Sequence, residues 1–363
     1  MDGSLNVVPR NLSGRDRYLR TLNGEKPDKL PLSVINFNTF VCQYYGITVE
    51  QYLQEPELTA GLTVRFIQEF RFDACIGTGC GYILYGCGPE LGTRWQFVGE
   101  NFPGCVEGVI KTREDIQRIE VPGEPRGYFK TYLQIIKAVN EEIGREVKLQ
   151  ASALGPFSVA GFLRGIQETL LDTVTDLEFY EAYMPKCVAV SKFICQNVFE
   201  TGLETPVLNE VFVTPEMVGP DFYHRHIAPY DEEVSRYFGP ERLPNSFSAF
   251  MGKPDDPTSQ REARYLYLTF FGGAESVEVL EKALGYRLAG LPFFLTVSGK
   301  NLIGWSTDEI LSFLAEGLEY VVKSQGVYPC ISLASVQADS RENALEVAEK
   351  VRAVREFLDT YKL

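Results

Sequence analysis

What most constrains this chain is an alternation: short apolar runs of strand type return about every 40 residues, and the stretches between them repeat apolar residues at helical spacing. The clearest runs are residues 30–35 (LPLSVI), 147–154 (VKLQASAL), 206–212 (PVLNEVF), 293–297 (FFLTV) and 330–334 (CISLA), with shorter candidates at 73–77 and 246–250. Between them, Phe129, Tyr132, Leu133, Ile136, Val139 and Ile143 fall three and four apart, which puts them on one face of a helix. Leu177, Tyr180, Met184, Cys187, Val190 and Ile194 form a second such face, and Ala344, Ala348, Val351 and Phe357 a third. Strands alternating with amphipathic helices pair in parallel, because a parallel neighbour requires a crossover that a helix supplies.

An open nucleotide-binding sheet would place glycines after its first strand. Here LPLSVI is followed by NFNTFVCQYYG, with neither GxGxxG nor a P-loop. The expected fold class is therefore α/β, a single (β/α)8 TIM barrel with a short N-terminal helical extension. No linker, repeat or low-complexity tract divides the chain, so one domain is expected over residues 1–363, with 254–259 (PDDPTS) a loop. The 45% of apolar residues suffices for a large core. The net charge of −14 opposes phosphate binding and argues against a nucleic-acid partner. Eight cysteines are scattered without a CxxC pair, and residues 1–14 lack the basic-then-apolar order of a secretory signal. No apolar run is long enough for a membrane span, so a cytoplasmic protein with reduced thiols is expected.

Four segments then point to a family. Residues 15–32 (RDRYLRTLNGEKPDKLPL), 154–165 (LGPFSVAGFLRG), 214–234 (TPEMVGPDFYHRHIAPYDEEV, with Pro220 and Pro229 in register) and 338–351 (ADSRENALEVAEKV) resemble, in order, four conserved-looking stretches of the uroporphyrinogen decarboxylase superfamily. The resemblance implies its barrel. It also implies one of two chemistries, decarboxylation or corrinoid-dependent methyl transfer, and the site residues must choose between them.

Decarboxylases of this kind carry an arginine-rich motif after the first strand, where this chain has Asn36, Phe37, Asn38 and Thr39. Their pyrrole-binding aspartate aligns near Cys80, their tyrosine with Phe162 and their late histidine near Ala334 or Ser335. A poly-acid pyrrole would leave its charges unpaired here. The branch serving coenzyme M resembles an H-x-C zinc pattern, but residues 246–252 read SFSAFMG. The ether-cleaving branch resembles E-x14-E-x20-H, and counting from Glu210 reaches Arg225 and Ser246, with the chain's two histidines, His224 and His226, flanking the second place.

Glu210, at the end of an apolar strand, is the leading catalytic candidate, since barrel enzymes hold their chemistry at strand ends; a structural ion pair is the alternative. His226 is the second, as proton carrier or ligand, against a role as a satisfied core histidine. A rearranged zinc site would use Glu210 with one of the two histidines, His226 before His224, and Cys330 or Cys80 as third ligand, although Cys80, Cys87 and Cys330 read equally as small buried residues, as free cysteines more often are. Asn36, Cys80, Arg94 and Gln150 are candidate substrate contacts, with Tyr45 and Trp95 nearby in sequence, while Gly155 and Pro156 read as turn geometry. The expected function is a methyltransferase-like enzyme moving a methyl group from a small O-methyl or N-methyl substrate to a corrinoid protein. That partner is a separate chain, because no D-x-H-x-x-G motif occurs here. The alternatives are a tetrapyrrole- or corrinoid-binding barrel without the family chemistry, and a decarboxylase that would hold its acid on Arg94 or Arg164.

Overall fold

The strands appear where the apolar runs lie: β1 (Leu32–Ile35), β2 (Ala74–Ile76), β5 (Lys148–Gln150), β6 (Ser152–Leu154), β7 (Val207–Asn209), β8 (Phe294–Ser298) and β9 (Cys330–Ala334), with a small antiparallel hairpin of β3 (Arg94–Gln96) and β4 (Gly104–Glu107) after β2. The computed structural model describes residues 11–77, 88–97, 101–204, 206–214, 217–243, 251–253, 255–260, 263 and 293–363. The candidate strand at 246–250 lies outside them. β5, β2, β1, β9 and β8 form one sheet in that order, and β6 pairs with β7. Since only Ala151 separates β5 from β6, the two sheets are one continuous run of parallel strands.

Register shows which way each strand faces. Ile35 sits opposite Ile76 and Ala334, and Ile76 opposite Gln150. Ile35, Ala74, Ile76, Phe294 and Cys330 pack together in a small inner cluster with Tyr18, while alternate residues such as Leu32, Val34 and Leu295 join the larger layer between strands and helices. Tyr18 comes from the N-terminal helix α1 (Gly14–Leu22) and is 2% exposed. The expected helical extension is thus the floor of the barrel.

That floor is fastened by charge. Arg17 of α1 reaches Asp28 at 2.6 Å and Asp73 at 2.5 Å, Arg355 reaches the other oxygen of Asp73 at 3.0 Å, and the Leu32 amide donates to Asp73 at 2.8 Å. The R-x-R and P-D letters of residues 15–32 therefore serve stability at the strand starts, the face of a barrel that carries no chemistry. The three helical faces read from the sequence are the packed sides of α2 (Gly127–Ile143), α3 (Leu177–Glu200) and α4 (Arg341–Thr360), except that Leu177, at the first turn of α3, is exposed and Leu133 and Phe357 are only partly buried. Two boundaries differ from expectation. The run at 206–212 stops at Asn209, because the chain turns immediately, Val213 N–H bonding back to Glu210 O at 3.1 Å. Of the expected loop at 254–259, Pro254 is not described and a helical turn opens at Pro257, where Asp256 accepts from the amides of Thr258 and Ser259.

Candidate functional site

The mouth at the strand C-termini carries an unusual backbone feature. β1, β2 and β9 are neighbours, and each is followed by a residue in the left-handed region: Asn36 (φ 52°), Gly77 (φ 76°) and Ser335 (φ 58°). Ser335 N–H bonds to Ile35 O at 2.7 Å and Gly77 N–H to Gln150 O at 2.8 Å, so the three turns continue the strand register. Left-handed backbone at the two non-glycine positions costs on the order of 1–3 kcal/mol each, and such strain gathers at functional sites. The turn at Asn36 also breaks strand alternation: Phe37 swings outward to stack on Phe66 at 4.8 Å, leaving Asn36 half-exposed at the rim.

Gln150 and Asn209 complete the uncharged rim. Gln150 shares register with Ile76 of the inner cluster, so it faces the barrel axis. Asn209 lies between Leu208 and Glu210, both of which are buried toward the helices, so it too faces inward. Both are half-buried, and no described residue hydrogen-bonds their side chains or that of Asn36.

Glu210 takes the opposite direction. It is 1% exposed, and its carboxylate accepts from the amides of Phe157 (3.0 Å) and Ser158 (2.7 Å) and from Ser158 Oγ (2.5 Å). It thus caps the turn α5 (Pro156–Ala160), and a methyl group at Gly155 would overlap its carboxylate, which explains Gly155 without any chemistry. Its fourth partner is Asp231, wholly buried on α6 (Ala228–Phe238) and held also by Tyr223 Oη at 3.1 Å. Burial first, and then the negative charge of Glu210, pushes Asp231 well above the usual aspartate range. The two acids share one proton, because two adjacent buried carboxylates cannot both ionise. Asp231 was missed in the sequence reading, though it left a signal: a carboxylate on the apolar face of its helix, between Ile227 and Val234.

His226 ends α7 (Pro220–His226). Its ring lies 5.0 Å from that of Phe222 and 6.2 Å from that of Tyr180, whose hydroxyl donates to the His226 carbonyl. Burial, and then the charge of Arg225, lowers its pKa, so the ring is neutral near pH 7. No hydrogen bond joins it to Glu210. His224 Nε2 is 2.5 Å from Gly252 O. Cys330 opens β9, at the end of the parallel strands away from Glu210, and its thiol is raised by burial and by Asp73. The structure therefore does not bring Glu210, His226 and Cys330 together, and among the described residues no three His, Cys, Asp or Glu side chains could hold a metal ion. Cys80 and Cys87 lie outside the described residues.

Arg94 is exposed on the hairpin and paired with Glu107 at 3.2 Å; Arg164 is paired with Asp172 at 2.8 Å. Neither is free for an acid. Trp95 donates to Thr93 Oγ1 at 2.7 Å and packs at a tilt against Phe162, 5.3 Å between ring centres, which meets Phe212 at 5.0 Å, so the position where decarboxylases resemble one another in a tyrosine is here part of an aromatic wall. Tyr45 Oη donates to Glu69, away from the rim. The wall borders a cleft of about 440 Å³ under the hairpin. It also borders a π-helical turn at Gly161–Gly165, where a side chain on Gly161 would meet the Phe212 ring at 2.6 Å.

Parallel strands, a floor fastened at their starts and a polar rim at their ends define a barrel of enzyme type. The chain belongs to the uroporphyrinogen decarboxylase family, whose model matches residues 13–245. A solved methyltransferase from Methanosarcina mazei superposes with a TM-score of 0.66 at 15% identity, covering 94% of this chain and 98% of that one, and the shared fold is the TIM barrel. Among curated proteins, the chain is similar to the methylcobamide:CoM methyltransferase MtbA of Methanosarcina acetivorans, 25% identical over 151 residues, 42% of this chain and 43% of that protein. The methylcobamide:CoM methyltransferase MtaA of Methanosarcina barkeri is 20% identical over 221 residues, 59% and 63% of the two chains. The chain thus matches less than two thirds of the length of these relatives. Among the described residues no helix is long and apolar enough to cross a membrane.

Proposed function

We propose that this barrel is a corrinoid-dependent methyltransferase-like enzyme that takes a methyl group from a small O-methyl or N-methyl donor and passes it to the cobalt of a separate corrinoid protein. The observation that carries the reading is the rim after β1, where decarboxylases of this superfamily resemble one another in arginines and this chain has Asn36 in a strained left-handed turn with an uncommitted side chain. The similarity to methylcobamide:CoM methyltransferases supports the same choice. In this reading the corrinoid protein supplies the nucleophile. The amide N–H groups of Asn36, Gln150 and Asn209 hold the donor and hydrogen-bond the heteroatom as negative charge develops on it. Glu210 and Asp231 hold the turn at 156–165 beside the mouth and touch no reacting atom.

Zinc fits poorly with the described side chains, since Glu210 already has four partners, and no step is assigned to it. The six described cysteines are free thiols, which suits the cytoplasm as the working compartment. The test is anaerobic: protein, reduced cob(I)alamin and a panel of methoxylated and N-methylated compounds, followed by the absorbance of methylcobalamin. Donor-dependent methylation that Asn36→Ala lowers at least tenfold supports the proposal. Tight corrinoid binding with no turnover on any donor would favour instead a binding barrel without the family chemistry.

A further inference from the structure

The charge balance at the mouth narrows the substrate class. Asn36, Gln150 and Asn209 stand on three strand ends across the described part of the rim, and each offers an N–H pair and a carbonyl that no described residue uses. Among the described cations, Arg94 is engaged with Glu107, Arg164 with Asp172, and Lys148, at the opposite end of the strands, with Glu204 at 3.1 Å. Arg341 lines a separate cleft with Gly46, Thr48 and Phe97, which none of Asn36, Gln150 and Asn209 borders. The acids are equally committed, Glu210 and Asp231 to each other and to the amides of α5.

Among the described residues of this rim, an ionised carboxylate or ammonium would lose hydration without meeting an uncommitted opposite charge, which is costly in a partly buried site. A neutral polar group loses less and regains it in full from carboxamides, which donate and accept at once. We propose that the donor this mouth takes is an uncharged, hydrogen-bonding molecule, recognised through Asn36, Gln150 and Asn209. The inference rests on the mouth being the donor site of the proposed reaction, but it concerns binding, which can be read without turnover.

The experiment uses the full chain and two matched pairs of probes, methoxyacetamide against methoxyacetate and 4-methoxybenzamide against 4-methoxybenzoate, with affinities measured by calorimetry or saturation-transfer NMR at pH 7.5. At least one amide is expected to bind tenfold or more tightly than its acid. Gln150→Arg is expected to narrow or invert that ratio by placing a cation on the rim, and Asn209→Ala to weaken the amide three- to tenfold without favouring the acid. Should the arginine variant fail to fold, as its circular dichroism would reveal, the Asn209→Ala and Asn36→Ala series decides alone. Preference for either acid, binding of neither member of both pairs, or amide binding indifferent to all these substitutions overturns the inference. Selective amide binding in a protein that never methylates cob(I)alamin leaves it standing and removes the proposed reaction instead.

Discussion

Glu210 and Asp231 show how little a residue's type reveals about its direction. A carboxylate ending an apolar strand was legible as exceptional, but strand alternation does not say which face turns inward, and here that face belongs to Asn209. Glu210 instead ties β7 to the start of α5, so Glu210→Ala should cost about 2–4 kcal/mol of stability, the sum of a lost cap and an orphaned buried acid. Urea unfolding measures it. Because the folded pKa of Asp231 is raised, its contribution is complete at pH values below that of an ordinary aspartate and declines as pH rises through the folded value. Asp231→Asn keeps the hydrogen bond to Glu210 without titrating, and its unfolding free energy should be flatter on the alkaline side than that of wild type. Asn36→Gly makes the opposite separation. It relaxes the positive φ while adding freedom to the unfolded chain, two effects of opposite sign, so stability should not fall by more than about 1 kcal/mol while methyl transfer falls.

At the scale of elements, the described strands and the three long helices could be placed from the sequence, though not their ends, because burial on one face imposes a period that the sequence must carry while a turn such as that after Asn209 does not. The site could not, because its members belong to different elements. Cys330 and Glu210 look equivalent as strand-end residues, yet one begins its strand and the other follows its strand's end, which parallel pairing turns into opposite faces of the barrel. Cys330→Ser should therefore leave both the metal content of the purified protein and its activity unchanged, as elemental analysis and the cobalamin assay would record. The join between β5 and the loop before β7 makes a second test. Hydrogen bonds from Arg15 and then Lys148 lower Glu204 to about 2, so its contribution is present above the ordinary glutamate value and lost as pH falls from about 4.5 toward 2. Glu204→Gln should remove that part of the acid branch of the stability profile. The effect should be modest, because the carboxylate is 60% exposed.

For the whole molecule, the family letters near the N-terminus were legible as a resemblance, but their meaning emerged only when distant segments met. Arg17 from the first helix and Arg355 from the last both close on Asp73, joining the two ends of the chain beneath the barrel. Asp73→Ala should cost about 2–3 kcal/mol, since two buried guanidinium groups would each lose one of their two carboxylate partners, keeping Asp28 and Asp359, and the Leu32 amide would lose its acceptor; thermal denaturation would register it as a global loss. The same floor also governs traffic. With Tyr18, Ile35, Ala74, Ile76, Phe294 and Cys330 filling the axis from below, nothing reaches the rim through the floor, and the mouth at the strand ends is left as the way in and out. A small donor would have to be seated before a bulky acceptor protein covers the opening, and its demethylated remainder could depart only after that protein withdrew. Steady-state kinetics would then show an obligatory order, first in and last out, with excess acceptor protein slowing turnover by standing in the doorway.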